Sequence, residues 1–293
     1  MYKEILIPLD GSNVAEQVLP YATLLAERLH LPLRLLACVA GEAHGSEAWA
    51  KRCDLARDYL DQTAAPLADA GVQVATLVTQ GDDAASQIAA TVAEADAPLV
   101  LMATHGRAGA RRWLLGSVTE RVLHTIHKPL LVVRAAEEEA PTPARLSTIV
   151  VPLDGSSFAE QALPEAVRLA EAFAASIVLV RALGSAVDYY LHPESFGGAA
   201  RDLAEELEGQ AEDYLSEVAE RLRGMGATRV DTKVLHGDTA GVLVEFMEQT
   251  PDHLVIMTSH GRTGVKRWAL GSIATRVVRH APGTVLILPA MEK

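Results

Sequence analysis

The stretch EILIPLDGSNVAEQVLP, residues 4–20, returns as TIVVPLDGSSFAEQALP, residues 148–164, at an offset of 144. A second pair, THGRAGARRWLLGS (104–117) and SHGRTGVKRWALGS (259–272), returns at an offset of 155. A repeat this long exceeds the roughly 20–50 residue unit of a solenoid, so the chain reads as one whole domain built twice. The offsets differ by 11 residues, which places an insertion in the second copy. The turn-rich GSAVDYYLHPESFGG, Gly184 to Gly198, is where it fits best. The expected domains are residues 1–136 and 146–293, with a linker at 137–145. That linker lies in RAAEEEAPTPAR (134–145), acidic and proline-bearing, as an exposed connection would be.

Within the first copy, short apolar runs alternate with helical patterns. ILIPL (5–9), LRLLACV (33–39), VQVATLV (72–78), PLVLMA (98–103) and LLVV (130–133) read as strands. Apolar spacing predicts helices over 13–30, 47–70, 83–94 and 117–126. This order predicts an α/β fold: two repeated doubly wound, Rossmann-like domains. Each has a five-stranded, mostly parallel sheet with helices on both faces. Ligands of such sheets bind beyond the carboxyl ends of the strands, so the loops after strands one, two and four carry the interest.

Composition narrows the ligand. A net charge of −12 disfavours a general nucleic-acid or anionic-membrane binder, although the basic stretch at 104–117 leaves room for a local anion site. The two cysteines, Cys38 and Cys53, have no metal-ligand spacing, and reduced thiols in a cytoplasmic protein are expected. The chain begins with a strand-like run and holds no apolar run near 18 residues, so neither a signal peptide nor a transmembrane helix is expected.

The first candidate residues follow strand one: Asp10-Gly11-Ser12, repeated as Asp154-Gly155-Ser156. Ser12 or Asn13 can be a helix N-cap with Gly11 in the turn. Asp10 sits at the strand end, where its carboxylate could equally receive a ribose or an adenine amine. After strand four, Gly106, Gly109 and Gly116 recur as Gly261, Gly264 and Gly271. Gly116-Ser117 and Gly271-Ser272 open helical patterns, and bare N–H groups there favour an anion. Arg107, Arg111 and Arg112 lie between and could face it, or be solvated. His105 and His260 read as structural, and Trp113 and Trp268 as packing for the loop. The chain has neither a P-loop nor a G-x-S-x-G elbow.

Both halves resemble universal stress protein domains, and nearly the whole chain is similar to tandem members of that family. The ATP-binding branch has the pattern G-x-x-G-(nine residues)-G-[ST]. Gly106 with Gly116-Ser117, and Gly261 with Gly271-Ser272, match its last two elements. Ala103 and Thr258 stand where its first glycine would be, and the larger Thr258 departs further. The resemblance implies an adenosine end at Asp10 and Asp154. It implies closure on the adenine by Cys38 and Val39, or Ala182 and Leu183. The phosphates would be held by Gly106, Arg107, Gly109, Gly116 and Ser117, or Gly261, Arg262, Gly264, Gly271 and Ser272. The implied cofactor is ATP or another adenine nucleotide, with magnesium accompanying the phosphates. The implied partners are that nucleotide, an intrachain pseudo-dimer through Leu130–Val133 and Thr284–Leu288, and a homo-oligomer.

The leading expectation is a cytoplasmic stress-response protein that binds nucleotide in a regulatory role. A nucleotide-free interaction or scaffold protein of the same fold, toward which Ala103 and Thr258 lean, and a slow ATP hydrolase are the alternatives. No catalytic or metal-ligating residue is identified, and hydrolysis is expected to be weak because no convincing base is present.

Overall fold

The computed structural model describes residues 1–41, 46–106, 115–136, 144–184, 198–260 and 270–291. The chain divides into two units, Met1–Arg145 and Leu146–Lys293. The first runs β1 (Glu4–Leu9), α1 (Asn13–Glu16), α2 (Leu19–Leu29), β2 (Leu33–Ala40), α3 (Glu47–Asp69), β3 (Val74–Gly81), α4 (Ala84–Glu94), β4 (Pro98–Gly106), α5 (Ser117–Thr125) and β5 (Leu130–Ala136). Its sheet order is β3-β2-β1-β4-β5, with every pair parallel. Ile5, Leu6 and Ile7 in β1 are all buried, as are Leu99, Val100 and Leu101 in β4. Consecutive buried residues are what a parallel strand covered on both faces requires.

The second unit repeats this plan: β6 (Thr148–Pro152), a 3-10 turn over Ala159–Ala162, α6 (Leu163–Phe173), β7 (Ser176–Leu183), α7 (Gly198–Gly224), β8 (Val230–His236), α8 (Thr239–Glu248), β9 (His253–Thr258), α9 (Ser272–His280) and β10 (Thr284–Leu288). Its order is β8-β7-β6-β9-β10, again parallel. The α/β, Rossmann-like expectation is therefore met in each unit. Most of the expected linker (137–143) and of the expected insertion (185–197) falls outside the described residues.

One helix differs from expectation. The helical pattern over 13–30 is broken into α1 and α2, and its counterpart into the 3-10 turn and α6. Leu19-Pro20 and Leu163-Pro164 open the second piece each time. Proline has no N–H for the preceding turn and its ring crowds the carbonyl four residues back, so it starts a helix rather than continuing one. The separated first turn carries residues that reach the sheet's carboxyl end. In both units a tyrosine pins this turn to the long helix. Tyr59 of α3 donates to Glu16 Oε1 at 2.9 Å, and Tyr214 of α7 donates to Glu160 Oε1 at 3.0 Å.

At the opposite end of the second sheet, His253 is buried at the start of β9 and its Nδ1 donates to the Thr250 carbonyl at 2.6 Å. Burial, more than the opposing effects of that bond and of Asp252, holds its pKa below the ordinary 6.5. The unfolded chain therefore takes up a proton that the folded chain resists. This contribution is complete above about pH 6.5 and is lost as the pH falls below it, with a slope of at most about 1.4 kcal/mol per pH unit. Urea unfolding at about pH 7.5 and 5.5 should show the second unit weaker at the lower pH, and His253→Gln should flatten that difference.

Candidate functional site

Each sheet has a switch point where the chain connections reverse: between β1 and β4, and between β6 and β9. A cleft opens at the carboxyl ends of each pair. The first measures about 280 Å³ and is lined by Asp10, Cys38, Met102, Ala103, Gly116 and Ser117 among others. The second measures about 250 Å³ and is lined by Asp154, Ala182, Met257, Thr258, Gly271 and Ser272 among others. Both approach the roughly 300 Å³ lower end of small-molecule sites.

Asp10 closes its own turn. Its Oδ1 accepts from the Ser12 N–H at 3.0 Å and from the Ser12 hydroxyl at 2.6 Å. Ser12 is the N-cap of α1, and its Oγ accepts from the Ala15 N–H at 3.1 Å. Gly11 makes this possible with φ of +81°, a conformation that L side chains rarely adopt. The second unit repeats the arrangement: Asp154 Oδ1 accepts from the Ser156 N–H at 2.9 Å, and Gly155 has φ of +86°. The capping reading is thus correct for Ser12. The Asp10 carboxylate is exposed, and Oδ1 is committed to the turn, so Oδ2 is the oxygen it offers to the cleft.

The other wall is a helix start. The side chains of Ser46, Asp83 and Asp238 cap α3, α4 and α8. By contrast α5 and α9, the helices that open onto the clefts, begin at Gly116 and Gly271 with no side-chain cap. Among the described residues no side-chain oxygen caps these helix starts, which leaves N–H groups of the first turn for an anion. The Gly271 N–H donates to the Ser259 carbonyl at 2.8 Å, and a Cβ at Gly271 would stand 3.3 Å from that oxygen. Thr119 reaches back from α5 to the Ala103 carbonyl at 3.1 Å, fixing the helix start against β4.

Strand alternation separates the two adenine-end candidates. Cys38 lines the first cleft, while Val39 packs on the other side with Trp49 and Cys53. Val39 is not on that lining, and its carbonyl accepts from Gln87 Nε2 at 3.3 Å. Ala182 likewise lines the second cleft, whereas the buried Leu183 is not on its lining. Gly106 ends β4, and Arg107, Gly109, Gly261, Arg262 and Gly264 lie outside the described residues, as do Arg111, Arg112, Trp113 and Trp268. Thr258 is buried, and its hydroxyl donates to the His260 carbonyl at 2.8 Å. The Ser259 hydroxyl lies 3.1 Å from His260 Nδ1 and accepts from the Ala290 N–H at 3.1 Å. His260 itself is on the lining of the second cleft and its Nε2 is buried without a hydrogen-bond partner among the described residues, so the imidazole is more than the structural group that the sequence suggests.

The sequence reading missed the apolar lining. Pro8, Ile88 and Met102 line the first cleft, and Pro152, Leu243 and Met257 occupy the matching positions in the second. The repeat held the signal, because each pair stands at the same 144- or 155-residue offset as the motifs. Among the described residues no group of three or more His, Cys, Asp or Glu is placed to hold a metal ion.

Burial pushes the Cys38 thiol above its ordinary value, against a smaller lowering by the Thr79 hydroxyl, which donates to its sulfur at 3.4 Å. The thiolate is the nucleophile, so alkylation of Cys38 at neutral pH should be slower than for a free thiol and should rise with pH. Iodoacetamide labelling read by mass spectrometry checks this, and the buried Cys53 should remain unlabelled.

The model of the universal stress protein family matches residues 1–134 and again 146–289. The chain belongs to the universal stress protein family. A universal stress protein of Methanocaldococcus jannaschii is 30% identical over 145 residues, covering 50% of this chain and 83% of that protein. A universal stress protein of Mycobacterium tuberculosis is 26% identical over 296 residues, covering 97% of this chain and 95% of that one. The crystal structure of an Archaeoglobus fulgidus universal stress protein matches with a TM-score of 0.72 at 18% identity, over 98% of both chains. That likeness bears on the fold. Two universal stress protein domains in one chain fit an intrachain pair. Among the described residues no helix is long and apolar enough to cross a membrane.

Proposed function

We propose that this protein is a cytoplasmic stress-response protein whose clefts take an adenine nucleotide, ATP foremost, and that occupancy regulates partner binding or assembly. One observation carries the reading. Each unit sets a strand-end carboxylate, Asp10 or Asp154, opposite an uncapped Gly-Ser helix start within a single cleft. A carboxylate suits ribose hydroxyls or an adenine amine, and bare helical N–H groups suit phosphates. The ATP-binding pattern of the resembled family branch falls on the same helix starts. Magnesium would travel with the phosphates, because among the described residues Asp10 and Asp154 are the lone carboxylates on the two linings. Isothermal titration with ATP, ADP, AMP and cAMP tests the reading, and no binding of any of them at about millimolar concentration, a free energy near 4 kcal/mol, refutes it. Bound ATP should also slow Cys38 alkylation, because the thiol lines the cleft.

Turnover is not the proposed role. The described lining supplies anion donors but no histidine or second carboxylate beside Asp10 to orient water in the first cleft. Any hydrolysis should be slow and should fall in Ser117→Ala. The rival reading, a nucleotide-free interaction protein, is favoured by Ala103 and by the buried Thr258 methyl-bearing side chain at the matching place. Mass analysis of small molecules released from freshly purified, denatured protein separates the two.

A further inference from the structure

The two helices that wall each cleft are tied together at their rims by the same ion pair. In the first unit Arg121 of α5 binds Asp83, the N-cap of α4, with Nη2 3.0 Å from Oδ1. In the second unit Arg276 of α9 binds Asp238, the N-cap of α8, through two bonds of 3.0 and 2.6 Å. Both arginines stand four residues after the serine that opens the cleft-facing helix, Ser117 or Ser272. Residues so spaced share one helix face, and helical side chains lean toward the N-terminus. Each guanidinium is therefore within a side-chain rotation of the helix start at which the anion is expected.

The aspartates do not depend on the arginines. Asp83 also accepts from the Ser86 N–H at 3.0 Å and the Ser86 hydroxyl at 2.7 Å, and Asp238 accepts from the Gly241 N–H at 3.0 Å. Those capping bonds persist when the arginine leaves. What is given up is an ion pair with both partners more than a third exposed, which is weak. What is gained is an arginine fork on a phosphate at the edge of a partly dry cleft, a stronger charge-assisted contact.

We propose that Arg121 and Arg276 set the phosphate-number specificity of the clefts: each exchanges its capping aspartate for the terminal phosphate of a bound nucleoside triphosphate. A monophosphate ends too early to recruit the guanidinium. The proposal rests on the nucleotide reading above, and the test keeps their failures apart. Calorimetric affinities for ATP and AMP are compared in the full chain, in the R121Q/R276Q variant and in the D83N/D238N variant, with thermal melting as the control for folding. Asparagine caps helices as well as aspartate, so the second variant keeps its helix starts.

The glutamine variant should lose about tenfold in ATP affinity and less than about twofold in AMP affinity. The asparagine variant should bind ATP several-fold tighter, and that gain should vanish when the glutamines are also present. Unchanged ATP affinity in the glutamine variant overturns the proposal. So does an equal loss for ATP and AMP, which marks a structural clasp, and so does weaker ATP binding in the asparagine variant. Wild-type protein that binds neither nucleotide refutes the underlying reading and the proposal together.

Discussion

Gly283→Ala should lower the stability of the second unit by about 2 kcal/mol and its melting temperature by about 5 °C. A Cβ built at Gly283 would stand 2.7 Å from His253 Nε2 and 2.8 Å from Cε1, closer than such atoms approach. The imidazole cannot swing aside cheaply. It is buried, and its other nitrogen is held at 2.6 Å by the Thr250 carbonyl. The first unit supports the argument, because the positions matching His253 and Gly283 at the 155-residue offset are Pro98 and Lys128. A side chain is accepted there where no imidazole stands. His253→Ala leaves a cavity and costs stability by itself. In that background Gly283→Ala should cost little, so the pair should show a coupling of about 1 kcal/mol or more in a double-mutant cycle followed by urea unfolding. Additive losses would mean that the two residues do not share the space.

Ala103→Phe should abolish nucleotide binding in the first unit, with affinity falling at least about 100-fold, or nearly 3 kcal/mol. Ala103 lines the cleft between Met102 and the start of α5. An added ring must occupy space within a volume of about 280 Å³. Ala103 is on the cleft lining and only half-buried, so folding should be spared and the melting temperature should move by no more than a few degrees. Titration with ATP is expected to lose the first unit's binding equivalent and keep the second's. Thr258→Ala should act in the opposite direction. Its hydroxyl is committed to the His260 carbonyl at 2.8 Å, which fixes its rotamer and holds the β-branched bulk on the second cleft's lining. Removing that bulk should tighten the second unit several-fold, on the order of 1 kcal/mol.

The fold was almost wholly legible. Apolar runs marked all five strands of the first copy, and the repeat carried them to the second. The exception, the helix broken before Pro20 and Pro164, came from weighing apolar spacing above the missing proline N–H. The site was legible in part. Asp10, Cys38, Ala103, Gly116 and Ser117 do converge on one cleft. Asp10 was undecidable because a capping turn and a ligand site call for the same Asp-Gly-Ser letters. In the folded chain one carboxylate oxygen serves the turn and leaves the other. Ile88 and Met102 enter the sequence reading only as parts of a helix and a strand, since apolar periodicity identifies a buried face without saying which part of that face borders a cleft.

By itself the sequence determined that this protein is one α/β domain written twice, with its informative loops at the strand ends. Those properties follow from backbone chemistry within short segments: strand and helix periods, proline and glycine geometry, and capping side chains. Tertiary structure alone decided which residues meet. Asp83 reaches Arg121 and Asp238 reaches Arg276 across 38 residues of chain, Glu16 meets Tyr59, and His253 forbids a side chain at Gly283. Such meetings depend on how whole helices pack against the sheet, which no local window of residues encodes.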